Sequence, residues 1–242
     1  MENSGTPAST FPRRPIDYQK ALAAQEILVS RRRREEIPDT LWLLEHDPVI
    51  TSGSGASGDH LLFSREEMAT RGFALHATRR GGDVTCHEPG QLVGYPVIGL
   101  GPDPADRDLH RYLRRLEEAI ILLLAELGLE SRRVADRPGV WLTADPPRKI
   151  AALGVRCAGW VTSHGFSLNV ENSLEGFGLI VPCGICDAGV TRLDRELDAA
   201  RVPSWSALTG RLHTLLERTL QRPLELLRGE EALEIVGALA AE

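Results

Sequence analysis

The sequence has almost no lysine: Lys20 and Lys149 are the only two, and arginine makes up the rest of the 28 basic residues. Arginine keeps its proton at any useful pH, whereas a desolvated lysine can lose one. Composition alone leaves open whether the imbalance reflects genomic base bias or chemistry. Long apolar runs are also missing. The longest, Ala119 to Ala125, falls far short of the roughly 20 residues that span a bilayer, so no membrane helix is expected. The opening stretch to Pro15 carries Glu2 and no continuous apolar segment, so no secretory signal is expected and the cytoplasm is the expected location. With only four cysteines, Cys86, Cys157, Cys183 and Cys186, a disulfide framework is not the first reading. No internal repeat is present, and the only low-complexity stretch is the N-terminal tail. A net charge of -6 argues against a molecule coated for nucleic acid, and the basic block Arg31 to Arg34 reads as a solvated helix end.

What is present is the balance of a globular chain, 42% hydrophobic and 26% charged over 242 residues. We expect a tail over residues 1–14 and one catalytic domain over 15–242. Apolar spacing at Tyr18, Leu22, Leu28 and Val29 after Asp17 predicts a first helix. Short apolar or alternating runs bounded by Gly, Pro and Asp predict strands at 40–45, 49–51, 73–78, 91–98, 140–143, 150–156 and 166–170. Leu109 to Leu127 has the clearest helical period and stops at Gly128. Two further helices are predicted, from Trp205 to Leu220 behind Ser204 and from Glu230 to Leu239. Strands grouped centrally with helices mostly at the ends imply an α+β fold or a mixed α/β sheet, not a regular βαβ succession.

Three segments carry chemistry. Arg80-Gly81-Gly82-Asp83-Val84-Thr85-Cys86-His87-Glu88-Pro89-Gly90-Gln91 is a turn-rich loop whose glycines let backbone N–H groups approach a ligand, with Arg80, Thr85 and His87 to orient a polar group. It matches neither the Walker pattern nor GxGxxG. A purely structural hairpin loop is an equal reading. In Arg148-Lys149-Ile150-Ala151-Ala152-Leu153-Gly154 the lysine precedes a buried-looking strand, where it either snorkels to solvent or serves chemistry. The segment 161–170 returns as the partner strand. Val181-Pro182-Cys183-Gly184-Ile185-Cys186-Asp187 invites a zinc or thioredoxin reading. Zinc lacks a second CxxC or HxxxH pair, and the thioredoxin motif should open a helix, which Gly184 and Asp187-Ala188-Gly189 do not suggest. Two inert thiols are the plain alternative.

Taken together, RGGDVTCHEPGQL, RKIAALGV, WVTSHGFSLNV and VPCGICDAGVTRL resemble the lipoyl(octanoyl) transferases, the octanoyl-acyl carrier protein:protein acyltransferases of lipoate assembly. LLEHDPVIT at Leu43 to Thr51 is similar to the family's early strand pair, and the resemblance covers about Asp39 to Leu193. It implies the α+β fold of the lipoate and biotin protein ligases, a mixed β-sheet flanked by helices. It also implies that Cys183 forms an acyl thioester and that Lys149 lowers the thiol pKa. Arg80, Gly81, Gly82, Asp83, Val84, Thr85, Cys86 and His87 match the family's substrate loop. Ala152, Leu153 and Gly154, with Gly165, Phe166 and Ser167, match its two other substrate-contacting stretches. The sequence departs from the family at Cys86 (usually Tyr), Glu88 (usually Gly) and Cys186 (usually Pro), and Glu88 is expected to add a charge near the acyl site.

The implied donor is octanoyl-acyl carrier protein. The implied acceptors are lipoyl domains of 2-oxoacid dehydrogenase complexes and the glycine cleavage H protein, with no nucleic acid or membrane partner. Because a thioester is already activated, no ATP, metal or other cofactor is expected. His87 and His164 leave a Cys-His thiol hydrolase open, the shared fold leaves an ATP-dependent lipoate or biotin ligase open, and CxxC leaves a zinc-bound adaptor.

Overall fold

The computed structural model describes residues 13–101, 107–135, 137–181 and 189–240. The chain opens with helix α1 (Tyr18–Arg33), which starts where the Asp17 carboxylate accepts the Lys20 N–H at 3.0 Å. It ends on Arg31, Arg32 and Arg33, cations that favour the negative end of a helix. These arginines are not simply solvated: Arg31 pairs with Glu36, Arg32 with Asp39, and Arg33 donates to the carbonyl of Ala158.

Strands β1 (Thr40–Leu44), β2 (Val49–Ser52), β3 (Ala74–Ala77), β4 (Val84–His87) and β5 (Gln91–Val97) follow, with the short helix α2 (Arg65–Thr70) between β2 and β3. Helix α3 (Leu109–Glu126) leads to β6 (Ser131–Val134), β7 (Arg137–Leu142), β8 (Arg148–Ala158) and β9 (Val161–Asn169). The two-residue β10 (Gly189–Val190), the short α4 (Leu193–Glu196), α5 (Trp205–Leu220), β11 (Glu225–Arg228) and α6 (Glu231–Ala240) complete the chain.

Among the described residues the strands form two sheets. The larger is mixed, in the order β11-β1-β5-β9-β8-β7-β6, with β10 parallel to β8; the smaller is β3-β2-β4. Both faces of the large sheet are covered, which is why its strands read as continuous apolar runs. Alternation along β1 sends Leu41 and Leu43 to a core shared with α3 and α5, and Trp42 and Leu44 to one shared with α1 and α6. Among the described residues no helix is long and apolar enough to cross a membrane.

The predicted helices and strands are found with shifts of a few residues. β4 differs: the Gly81-Gly82 and Pro89-Gly90 turns make the whole segment 80–91 read as loop, yet Val84 to His87 pair with β2. Two-residue β10 and the short edge strands β6 and β11 are too brief for periodicity to mark.

Candidate active site

One wall of the site comes from alternation in the small sheet. Cys86 stands opposite Ile50 and Thr85 opposite Thr51. Ile50, Val84 and Cys86 face an apolar cluster with Met68, Phe73 and Phe177, which leaves Thr51, Thr85 and His87 on the other face. Cys86 is thus a core thiol, and burial pushes its pKa well up. Arg80 is 6% exposed and locked over β2: its Nη2 donates to the Thr51 carbonyl at 2.6 Å, and Nε and Nη2 both reach Thr51 Oγ1. Asp83 pairs with His60 Nδ1.

The floor is the β8–β9 hairpin. Gly154 lies opposite Gly165, and these two gaps in the side-chain layer let other backbone in. The Gly81 N–H donates to the Val155 carbonyl at 2.8 Å, and a Cβ on Gly154 would stand 3.0 Å from the Gly81 carbonyl oxygen. The loop therefore rests directly on β8. A Cβ on Gly165 would sit 2.2 Å from the Gly94 carbonyl oxygen.

Lys149, near the start of β8, is 5% exposed, with its Nζ 4.8 Å from the centre of the Trp141 ring. Its backbone pairs with Val190, and its carbonyl accepts the Thr191 N–H at 2.9 Å. Gly139, at φ 126°, packs beside the lysine stem.

Buried imidazoles line the junction between the sheets. Asn169 Oδ1 and the Cys86 carbonyl accept from Gln91 Nε2, so Gln91 Oε1 is the acceptor for His87 Nδ1 at 2.7 Å. That relay assigns the proton of His87 to Nδ1 and leaves the lone pair on Nε2. Burial, with a contribution from His46, drives the His87 pKa down to about 3. His46 donates from Nδ1 to the Ile16 carbonyl and accepts from the Tyr95 hydroxyl at 2.6 Å; burial lowers its pKa to about 4. Tyr18, whose hydroxyl has no hydrogen-bond partner among the described residues, stacks with His76 and His87, and burial raises it to about 12.

These walls bound a cavity that opens to solvent. Of the predicted residues from Arg80 to His87, all but Gly81 and Cys86 line it, together with Lys149, the stretch Ala152 to Gly154 and the stretch Gly165 to Ser167. Tyr18, Tyr95, Pro138 and His164 line it as well. In the sequence Tyr18 reads as part of a helix's apolar face and Tyr95 as strand, because periodicity cannot tell a packed ring from one at a cavity wall; His164 reads as a candidate base or metal ligand, not as a wall residue. Glu88 does not line the cavity. Its carboxylate accepts from Asn172, Ser173 and the Leu174 N–H, tying down the 172–174 loop, so the charge expected near the acyl site is spent elsewhere. Cys183 and Cys186 lie outside the described residues. Among the described residues no group of three His, Cys, Asp or Glu side chains is placed to hold a metal ion.

Comparison with known proteins gives a consistent answer. Residues 17–209 match the model of the lipoyl protein ligase A/B catalytic domain. An octanoyltransferase of Koribacter versatilis is 48% identical over 75% of this chain and 72% of its own length. One of Chloroflexus aurantiacus is 48% identical over 81% of this chain and 86% of its own. The fold resembles that of lipoate-protein ligase A bound with ATP, with a TM-score of 0.70 at 17% identity over 96% of this chain and 93% of that one. A T. acidophilum lipoate protein ligase with bound lipoic acid superposes with a TM-score of 0.69 at 16% identity, covering 96% of this chain and 93% of that one.

Proposed function

The chain belongs to the octanoyltransferase family, acyltransferases of lipoate biosynthesis, and from that premise we propose that it carries an octanoyl group from acyl carrier protein to a lysine of a lipoyl domain through a thioester on Cys183. The supporting observation is Lys149. It is one of two lysines in the chain, it is buried, and it lines the cavity. The chain on either side of Cys183 is anchored nearby: Val181 donates to the His60 carbonyl, next to Asp83, and Val190 pairs with Lys149 itself.

A free thiol has a pKa of about 8.5 and is mostly protonated at neutral pH. An adjacent ammonium stabilises the thiolate, and this is the role we assign to Lys149. The Cys183 thiolate attacks the octanoyl carbonyl, the carrier's C–S bond breaks, and Lys149 delivers a proton to the departing thiolate. The neutral amine of the acceptor lysine then attacks the Cys183 thioester. It gives up a proton to Lys149 and forms the amide as the cysteine leaves as thiolate. Leu153 and Phe166 provide apolar wall for the acyl chain. His87, held neutral with its Nε2 lone pair free of the Gln91 relay, supplies an acceptor for the incoming amine.

The test is to incubate the protein with octanoyl-acyl carrier protein and map adducts by peptide mass. An octanoyl adduct on Cys183 that chases onto a lipoyl domain without ATP is expected. Unchanged transfer by Cys183→Ala would overturn the covalent route, octanoate release without transfer would mark a thiol hydrolase, and dependence on ATP would mark a ligase. Lys149→Arg keeps the charge but cannot cycle a proton, and transfer should drop at least a hundredfold.

A further inference from the structure

The acyl cavity has a neighbour. Between α1 and the β8–β9 hairpin lies a second groove, lined by Gln25, Val29, Arg156 and Ser163 among others, and His164 lines both spaces. The residue is 5% exposed and sits in β9 at φ 56°, in the left-handed region that a non-glycine residue seldom adopts. Its backbone N–H is held at 2.9 Å by Gln25 Oε1, and its ring meets Tyr95 edge-on at 6.3 Å. Neither contact is made by chance packing of a surface loop. Gln25 is itself 2% exposed, and its Nε2 has no partner among the described residues.

His164 stands opposite Val155 on β8, six residues beyond Lys149, a span of about 20 Å at the rise of a strand. The reacting end of the cavity and this imidazole therefore lie at different levels of one hairpin. Burial, aided by Arg80 and Arg156, lowers the imidazole pKa to about 4, so at neutral pH the ring at this wall is uncharged.

We propose that His164 is the end wall of the acyl cavity and sets the chain length the protein accepts, the groove behind it being a latent extension for the distal methylenes of longer acyl chains. This rests on the reading of the cavity as the acyl site. The shared lining carries the argument, because removing one side chain would join two spaces that already abut. Since glycine adopts φ 56° freely and asparagine does so more readily than most residues, the backbone tolerates His164→Gly and His164→Asn.

The experiment compares octanoyl- and dodecanoyl-acyl carrier protein as donors for the wild type and both variants, with octanoate and dodecanoate binding measured alongside. Each accommodated methylene is worth about fourfold. The dodecanoyl to octanoyl ratio of kcat/KM should rise more than tenfold in His164→Gly and by less in His164→Asn, with the binding ratio following. A ratio unchanged within about twofold in either folded variant overturns the inference, as does a wild type that uses both donors equally. Failure of the covalent route shows up separately, as no Cys183 adduct with either donor, while the binding ratio still reports on the wall.

Discussion

The large and small sheets use the same alternation of side chains, yet they put different things behind it. Along β1 of the large sheet both faces are apolar: Leu41 and Leu43 pack beneath α3 and α5, and Trp42 and Leu44 beneath α1 and α6. In the small sheet one face is apolar, with Ile50, Val84 and Cys86. The other carries Thr51, Thr85 and His87, with Arg80 clamped across it. A sheet covered on both faces draws its register from hydrophobic burial, which is strong and indifferent to direction. A half-polar sheet needs each group matched to a partner, since an unpaired buried polar atom costs free energy. The large sheet thus provides a rigid floor on which Lys149 and His164 are set, and the small one adds a wall of directional contacts.

The junction between them is the most sensitive place to challenge. His46, His87 and His164 are buried there with pKa values lowered to about 4, about 3 and about 4. Each group's pKa is lower in the folded state than the ordinary value near 6.5, so the unfolded chain binds more protons in acid and stability rises with pH across the interval. The contribution is complete above about pH 6.5 and is lost as pH falls towards 4, at about 3 kcal/mol for a single such group. Urea denaturation at pH 7, 5.5 and 4 should show a steep loss, ending in unfolding near pH 4. A flat profile would mean that water reaches these rings and that the junction is not dry.

The large sheet should break by loss of core. Leu43 in β1 is fully buried beneath α3 and α5 and does not line the cavity, so truncating it leaves a hole in the packing without touching the ligand. Leu43→Ala should cost about 3 kcal/mol, visible as a lower Tm and urea midpoint. Loss of octanoate binding should follow only in proportion to the unfolded fraction.

This contrast also explains what the sequence disclosed. Helix α3, with its leucines at helical spacing and Gly128 after it, and the strands β1 and β5 were legible because their pattern is periodic or continuously apolar and their partner is chiefly a core. The cavity residues were legible only through ordered motifs: nothing in the spacing of Arg80 says that its guanidinium forks onto Thr51, 29 residues earlier. β4 was hidden because four residues between two glycine turns give too short a period. Tyr18 and Tyr95 were hidden for a different reason: a ring at a cavity wall and a ring in a core have identical sequence signatures. The fate of Glu88 depended on the Asn172 to Leu174 loop, a contact 84 residues away that no local pattern encodes.

The small sheet can be tested where it is most polar. Arg80→Lys keeps the positive charge but replaces a planar fork by one ammonium, which cannot reach both the carbonyl and the hydroxyl of Thr51 while also contacting the Gly81 carbonyl. The expected loss of stability is modest, about 1–2 kcal/mol, since a cation remains and one strong contact can re-form. Octanoate affinity should suffer more than stability does, falling about tenfold, because the fork holds the loop whose Gly82 to Thr85 segment lines the cavity. Leu43→Ala should show the opposite balance. If both variants lost binding only in step with stability, the division between a floor held by burial and a wall held by directed contacts would fail. If Arg80→Lys separated the two readouts while Leu43→Ala did not, the polar face of the small sheet would carry its own share of ligand recognition, beyond holding the fold.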